Sequence, residues 1–374
     1  MTYFYNLPIT RAGVISLALG GVTCYSIGAS AAPVCYFNGS GTITATVPLR
    51  GANITVGPDT PNGTVLFRQY FRPSRSPQVN CSAVATAYSW RSDYLYTALP
   101  KPLSGWNSGT LAGRVYETGV PGIGVYIWWS NRPFPVLKTS GTWTTANAIG
   151  NFILTPDFDL SLIKTGPVSP GTISGSNLPT AALNFSVTGG NALRIMTVGF
   201  NGSLNVVSQT CTTPENIPVP LGKYDISADF SGKGSASAWQ DATIRLTNCP
   251  RFYGTINNEQ NNFSSDNGTY GIGTATQNRI GLKLSPNTTV INAAQGIFAV
   301  QSGTGNATGV GIQLAYGISA SPTLADLNAA KKYVMSSTTG TAWNLPLVAR
   351  YIQTGDTITP GKANATVTYT ITYN

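Results

Sequence analysis

Apolar and polar residues alternate along this chain far more often than apolar residues recur at helical spacing. The last fourteen positions show it best. From Ala363 to Tyr373 every odd residue is apolar or aromatic, and from Lys362 to Asn374 every even one is polar. Successive strand residues face opposite sides, so this segment predicts a strand with one buried face. Runs at 41–47, 64–70, 122–129, 182–187, 193–199, 224–230, 242–246, 309–315 and 348–352 predict further strands, broken by Gly, Pro, Asn and Asp. The best helix candidate is 324–334, and 151–162 reads as a surface turn. The pattern is that of an all-β protein.

Composition agrees. Of 374 residues only 9% are charged, 42% are hydrophobic and 41 are glycine, which suits an extracellular all-β chain and argues against disorder. The length allows about two domains. Lysines and arginines are scattered: residues 32–204 hold eleven against five acidic residues, and 205–374 hold ten against eight. No basic run or recognition motif accompanies the net charge of +9, so nucleic acid is not an expected partner.

Arg11 followed by the apolar stretch 12–21 and by Ala29-Ser30-Ala31 reads as a secretion signal over residues 1–31, cleaved before Ala32. Its removal takes Cys24 with it. Four cysteines remain, Cys35, Cys81, Cys211 and Cys249, and an even number in an oxidising compartment suggests disulfides. Four cysteines permit three connectivities. The layout in two separated couples suggests one bridge per domain, with the boundary at 201–209. A Gly-x-Gly strand follows each couple, at Gly122 and at Gly309.

The segments Val219-Pro-Leu-Gly-Lys-Tyr224, Ile244-Arg-Leu-Thr-Asn-Cys-Pro250, Gly309-Val-Gly-Ile-Gln-Leu314 and Pro346-Leu-Val-Ala-Arg-Tyr351 stand in an order and spacing that resemble the pilins of chaperone–usher fimbriae. Gly361, fourteenth from the end, and the penultimate Tyr373 complete the resemblance, which covers nearly all of 205–374. It implies an incomplete immunoglobulin-like β-sandwich lacking one strand, with a disulfide joining its first strand to a following one. It also implies three partners: a periplasmic chaperone, an outer-membrane usher, and an adjacent subunit that donates the missing strand. Gly361, Val367, Tyr369, Ile371 and Tyr373 are the expected groove residues.

Such pilins carry a donor extension before the first cysteine strand. Cleavage before Ala32 leaves three residues ahead of Cys35, so the expectation is a subunit at a fimbrial tip on the cell surface. In that family a tip adhesin places a receptor-binding domain, here 32–204 and also expected to be an immunoglobulin-like β-sandwich, before its pilin domain. The alternative is a minor structural subunit, a cap, adaptor or initiator, that binds no receptor.

Residues 32–204 carry no ligand signature, but five of the seven tryptophans lie there. Aromatic rings stack on sugar C–H faces while Asn, Asp and Arg hold hydroxyls. Three clusters offer that mixture for a host glycan or other surface receptor: Arg91 with Asp93, Trp106 with Asn107, and Trp128 with Asn131 and Arg132. On the 122–129 strand Ile123, Val125, Ile127 and Trp129 are expected inward, and Trp128 outward. The chain has no histidine, which excludes Ser-His-Asp catalysis and imidazole-bound zinc. Asp93 and Glu117 have no visible partner for carboxylate chemistry. The expectation is a non-enzyme without metal or cofactor.

Overall fold

The computed structural model describes residues 31–208, 210–257, 260–335 and 341–374. Positions 1–30 of the expected leader, Cys24 included, lie outside the described residues. What is described is nearly all β, arranged as two sandwich bodies of immunoglobulin-like layout.

In the first body a five-stranded sheet runs Val136–Trp143, Tyr88–Ala98, Thr180–Val187, Ala192–Asn201, Ile43–Pro48. Opposite it, Val65–Phe71, Phe158–Lys164 and Ile123–Trp129 form the centre of a larger sheet. Apolar side chains from both inner faces fill the space between. Leu160, Ile127 and Phe134 are fully buried, and Phe71 stacks on Phe158 at 5.1 Å. A disulfide joins Cys35 to Cys81, which also face each other across paired strands. The strand Ser203–Val207 pairs with Gly171–Ser174 and Asn53–Thr55.

The second body packs its own core. Leu347–Gln353, Val310–Ile318 and Ile297–Ala299 belong to one sheet, and Lys331–Val334, Arg279–Pro286 and Val367–Tyr373 form the other. Leu282, Ile280, Phe298 and Leu345 are buried between them. Cys211 is bonded to Cys249.

The two bodies are joined through backbone. After Cys249 the chain returns along the first body, where Ile256 N donates to Leu66 O and Arg68 N to Ile256 O at 3.0 and 2.8 Å. Phe263–Ser264 then adds to the first body's larger sheet as a parallel neighbour of Tyr70 and Phe71. The Ile256 side chain, 6% exposed, sits in the first body's core.

Several local expectations differ. The 324–334 stretch is not helical: Ser321–Leu324 and Lys331–Val334 are strands, and Leu324 pairs with Ala315. The 224–230 stretch is not a strand. Asp225 accepts from Ser227 N and Ala228 N at 2.8 and 3.3 Å and caps a one-turn helix, Ile226–Asp229. At 242–246 the strand is interrupted, because the Asp241 carboxylate accepts from Thr243 N. Gln240–Asp241 and Ile244–Leu246 therefore pair with different partners. The 151–162 stretch is not a surface turn. It overlaps the strands Gly150–Ile153 and Phe158–Lys164, and the latter is buried throughout because it is paired on both sides while Asp159 is neutralised by Arg68.

Because Ile256 is a core residue of a body to which it is not contiguous, Ile256→Ala is expected to cost about 2–5 kcal/mol. Calorimetry of the full chain should show a lowered first-body transition that separates from the second. An unchanged thermogram would contradict the shared core.

Candidate functional site

The final strand, Val367–Tyr373, has a strand partner on one side only among the described residues, the antiparallel Arg279–Pro286. Asn374 and Arg279 exchange both backbone bonds, at 2.7 and 2.9 Å. In an antiparallel pair such exchanges occur at every second residue, so Thr372, Thr370 and Thr368 also face Arg279–Pro286. The N–H and C=O groups of Val367, Tyr369 and Ile371 then point to the open edge. Their side chains are only half-buried, whereas the even residues from Lys362 to Thr370 are exposed.

Across from this edge runs 215–221, which forms no strand although Ile217, Val219 and Leu221 alternate with Pro218 and Pro220. Between the two lies a cavity of about 570 Å³ that opens the second core. Val367, Tyr369, Val219, Leu221, Leu314 and Phe298 are among its walls. The Tyr369 hydroxyl donates to Pro214 O and ties the two walls together at one point. Burial raises the pKa of this phenol, so it is held as the neutral donor.

Not every expected groove residue lines this cavity. Val367 and Tyr369 do. Ile371 packs against the second core farther along the same strand. Tyr373 is buried beside Phe252, with ring centroids 6.3 Å apart. Gly361 precedes the strand and approaches 306–307 so closely that a Cβ would stand 2.5 Å from Ala307 N. The opposite wall was missed, although the Ile217-Val219-Leu221 alternation was a period-two signal. Its two prolines hid it, since they remove ladder donors.

A second concavity, about 180 Å³, lies on the outer face of the first body's larger sheet. Thr110, Leu111, Tyr126, Trp128, Asn131 and Pro133 line it. Trp128 faces outward as expected but is held on several sides. Its Nε1 donates to Ser161 Oγ at 3.0 Å, and the Arg68 guanidinium lies 4.4 Å over the ring. Arg68 in turn makes two bonds to Asp159, at 2.9 and 3.1 Å. Burial pushes the Tyr126 hydroxyl pKa up, with nearby Ser161 and Arg68 opposing. Asn131 reaches the site from a two-residue hairpin turn, in which Ser130 and Asn131 both take positive φ, 47° and 60°. Non-glycine residues rarely adopt this, and such strain tends to gather at functional positions.

The other candidates are placed elsewhere. Arg132 is exposed at the far side of the hairpin, paired with Trp129. Trp129 stacks on Tyr94 at 4.7 Å. Trp106 bonds Ser108 O through Nε1 at 3.0 Å, and Asn107 beside it is exposed. Arg91 and Asp93 belong to the five-stranded sheet, where they form an ion pair at 3.1 Å, so Asp93 does have a partner. Among the described residues no group of three or more carboxylate or cysteine side chains gathers as a metal site would require.

Residues 198–374 match the family model described as Fimbrial protein. The chain thus carries a fimbrial-protein domain that spans the cavity between 215–221 and the final strand. No curated protein matches the chain. Among solved structures it is similar to the CupB6 tip adhesin from Pseudomonas aeruginosa, at 18% identity and a TM-score of 0.34, covering 91% of this chain and 94% of that one. It is also similar to a chaperone–tip adhesin complex of CFA/I fimbriae, at 10% identity and a TM-score of 0.26, with 90% and 98% covered. The Proteus mirabilis adhesin AtfE matches at 14% identity and a TM-score of 0.25, covering 45% of this chain and 99% of that one.

The Arg68–Asp159 pair packs beside Trp128 on the same sheet face, and both side chains are largely buried. Removing one partner leaves an uncompensated charge, so Asp159→Ala should destabilise the first body by about 3 kcal/mol. Denaturant titration should also show that Arg68→Met combined with Asp159→Leu recovers most of that loss. Equal losses in the single and double variants would refute the coupling.

Proposed function

With a fimbrial-protein domain as its second body, we propose that this chain is the adhesive tip subunit of a chaperone–usher fimbria. The second body accepts a strand from outside, first from a periplasmic chaperone and then, at the outer-membrane usher, from the adjacent subunit. The first body binds a host glycan or other surface receptor. The protein works by binding, without catalysis or cofactor, and reaches the cell surface through the periplasm.

The observation that carries the mounting half of this reading is the open edge above an open core. Val367, Tyr369 and Ile371 offer unpaired backbone groups, while half-buried apolar side chains line the adjacent cavity. An extended segment with alternating apolar residues satisfies both deficits at once. Its backbone completes the ladder, and each apolar side chain that enters the cavity contributes roughly 2 kcal/mol.

The receptor half is supported by the Trp128 face. An indole, a phenol and the Asn131 amide around a shallow concavity suit a sugar ring with one apolar face and several hydroxyls. The lining residues carry no formal charge, and the Arg68 and Asp159 charges beside them offset each other.

Val367→Asp puts a carboxylate on the groove wall, so co-purification with the chaperone is expected to fall at least tenfold while the first body keeps its fold. Undiminished recovery of the complex would sink the mounting assignment. For the receptor, a glycan array probed with the full chain should lose its signal on Trp128→Ala and keep it on Trp106→Ala. The opposite pattern would move the site to the Trp106 loop.

A further inference from the structure

One end of the open edge is already occupied, and the occupant comes from the first body. Tyr373 has the same parity as Ile371, so its N–H and C=O face away from Arg279–Pro286. Tyr373 N donates to Asp59 Oδ2 at 2.8 Å, and Tyr373 O accepts from Asp59 N at 3.2 Å. Asp59 therefore makes, with one residue, the two bonds that the next residue of an inserted strand would make.

This loop is not free to drift. Lys164, 3% exposed at the end of the strand Phe158–Lys164, donates through Nζ to Pro58 O and Thr60 O, both at 2.6 Å. A buried ammonium satisfied by carbonyls on both sides of Asp59 holds its backbone in place. Contact with the final strand is close: a Cβ at Gly57 would lie 2.0 Å from Tyr373 O. Asn278, 6% exposed, adds bonds from Nδ2 to Thr55 O at 3.0 Å and to Asn374 O at 3.4 Å.

We propose that Asp59 is a register stop for the inserted strand. The proposal rests on the reading of the groove as a strand acceptor. The incoming segment pairs along Val367, Tyr369 and Ile371 and ends against the 57–60 loop, because Asp59 holds both backbone groups of Tyr373. Since strand side chains alternate, a slip of one residue would turn the donor's apolar face out of the cavity. A stop at a fixed point excludes that slip. It also sets the donor length this subunit accepts and puts the donor's tip in contact with the first body.

The test uses the full chain and synthetic peptides of alternating valine and threonine, roughly ten residues long and carrying a photo-crosslinker at one end. In the wild type, cross-links should fall on Ile371 or the 57–60 loop and not beyond. In Asp59→Ala, which frees Tyr373 N but keeps the residue-59 N–H bond to Tyr373 O, they should advance as far as Tyr373. Without peptide, exchange of the Tyr373 amide should quicken about tenfold or more in that variant, the consequence of losing a hydrogen bond to a charged acceptor. Asp59→Asn, which keeps an acceptor oxygen, should restore the wild-type cross-link position. If Asp59→Ala does not fold, Asp59→Ser, too short to reach Tyr373 N, takes its place in the comparison. Cross-links at the same position in wild type and variant would overturn the stop and leave the groove reading intact. Failure of any peptide to bind either protein would overturn the groove reading and the stop together.

Discussion

The organising constraint is a strand that has one neighbour where a sheet interior would give it two. A backbone edge left unpaired beside an apolar cavity is costly in two ways, since N–H and C=O groups lack partners and core side chains meet water. The second body does not relieve this from within. The opposite wall supplies apolar side chains at Ile217, Val219 and Leu221, but Pro218 and Pro220 have no N–H to donate. Those prolines discourage the walls from zipping together and leave the space between them open. An edge that stays open is also an aggregation hazard until something covers it.

The junction between bodies follows a different logic. Linked domains commonly touch through side chains across a modest polar surface. Here the return segment after Cys249 joins the first body's sheet by backbone pairing and lends it Ile256 as a core residue. A parallel ladder plus a shared core resists rotation better than a flexible linker does. That rigidity lets the two bodies move as one, without a hinge between them. The same backbone-level joining places the 57–60 loop against Tyr373, so the open edge and the first body meet at that residue.

Much of this was legible in the alternation of residues. The final strand, the two disulfides and the inward set Ile123, Val125 and Ile127 follow from period-two patterning and cysteine spacing. The misreadings at 224–230, 242–246 and 151–162 each turn on an acidic side chain. At Asp225 and Asp241 a short acidic side chain captured local backbone N–H groups and ended or diverted a predicted strand. At Asp157 and Asp159 the carboxylates looked like turn residues because their partners, Tyr70 and Arg68, lie 87 and 91 positions earlier. Long-range pairing of this kind leaves no periodic trace.

The Trp128 face was half legible for the same reason. Trp128 and Asn131 stood out as residue types, and the strand's parity put the indole outward. What makes the face rigid is a stack read across three strands: Arg68 from Val65–Phe71, then Asp159 and Ser161 from Phe158–Lys164, then Trp128 itself. Each link is a charge or hydrogen bond between residues far apart in sequence, so only the sheet's register brings them together. A preorganised indole loses little freedom on binding. Trp106 is tied down as well, through its bond to Ser108 O, so the physical ground for preferring Trp128 is the concavity it shares with Tyr126 and Asn131.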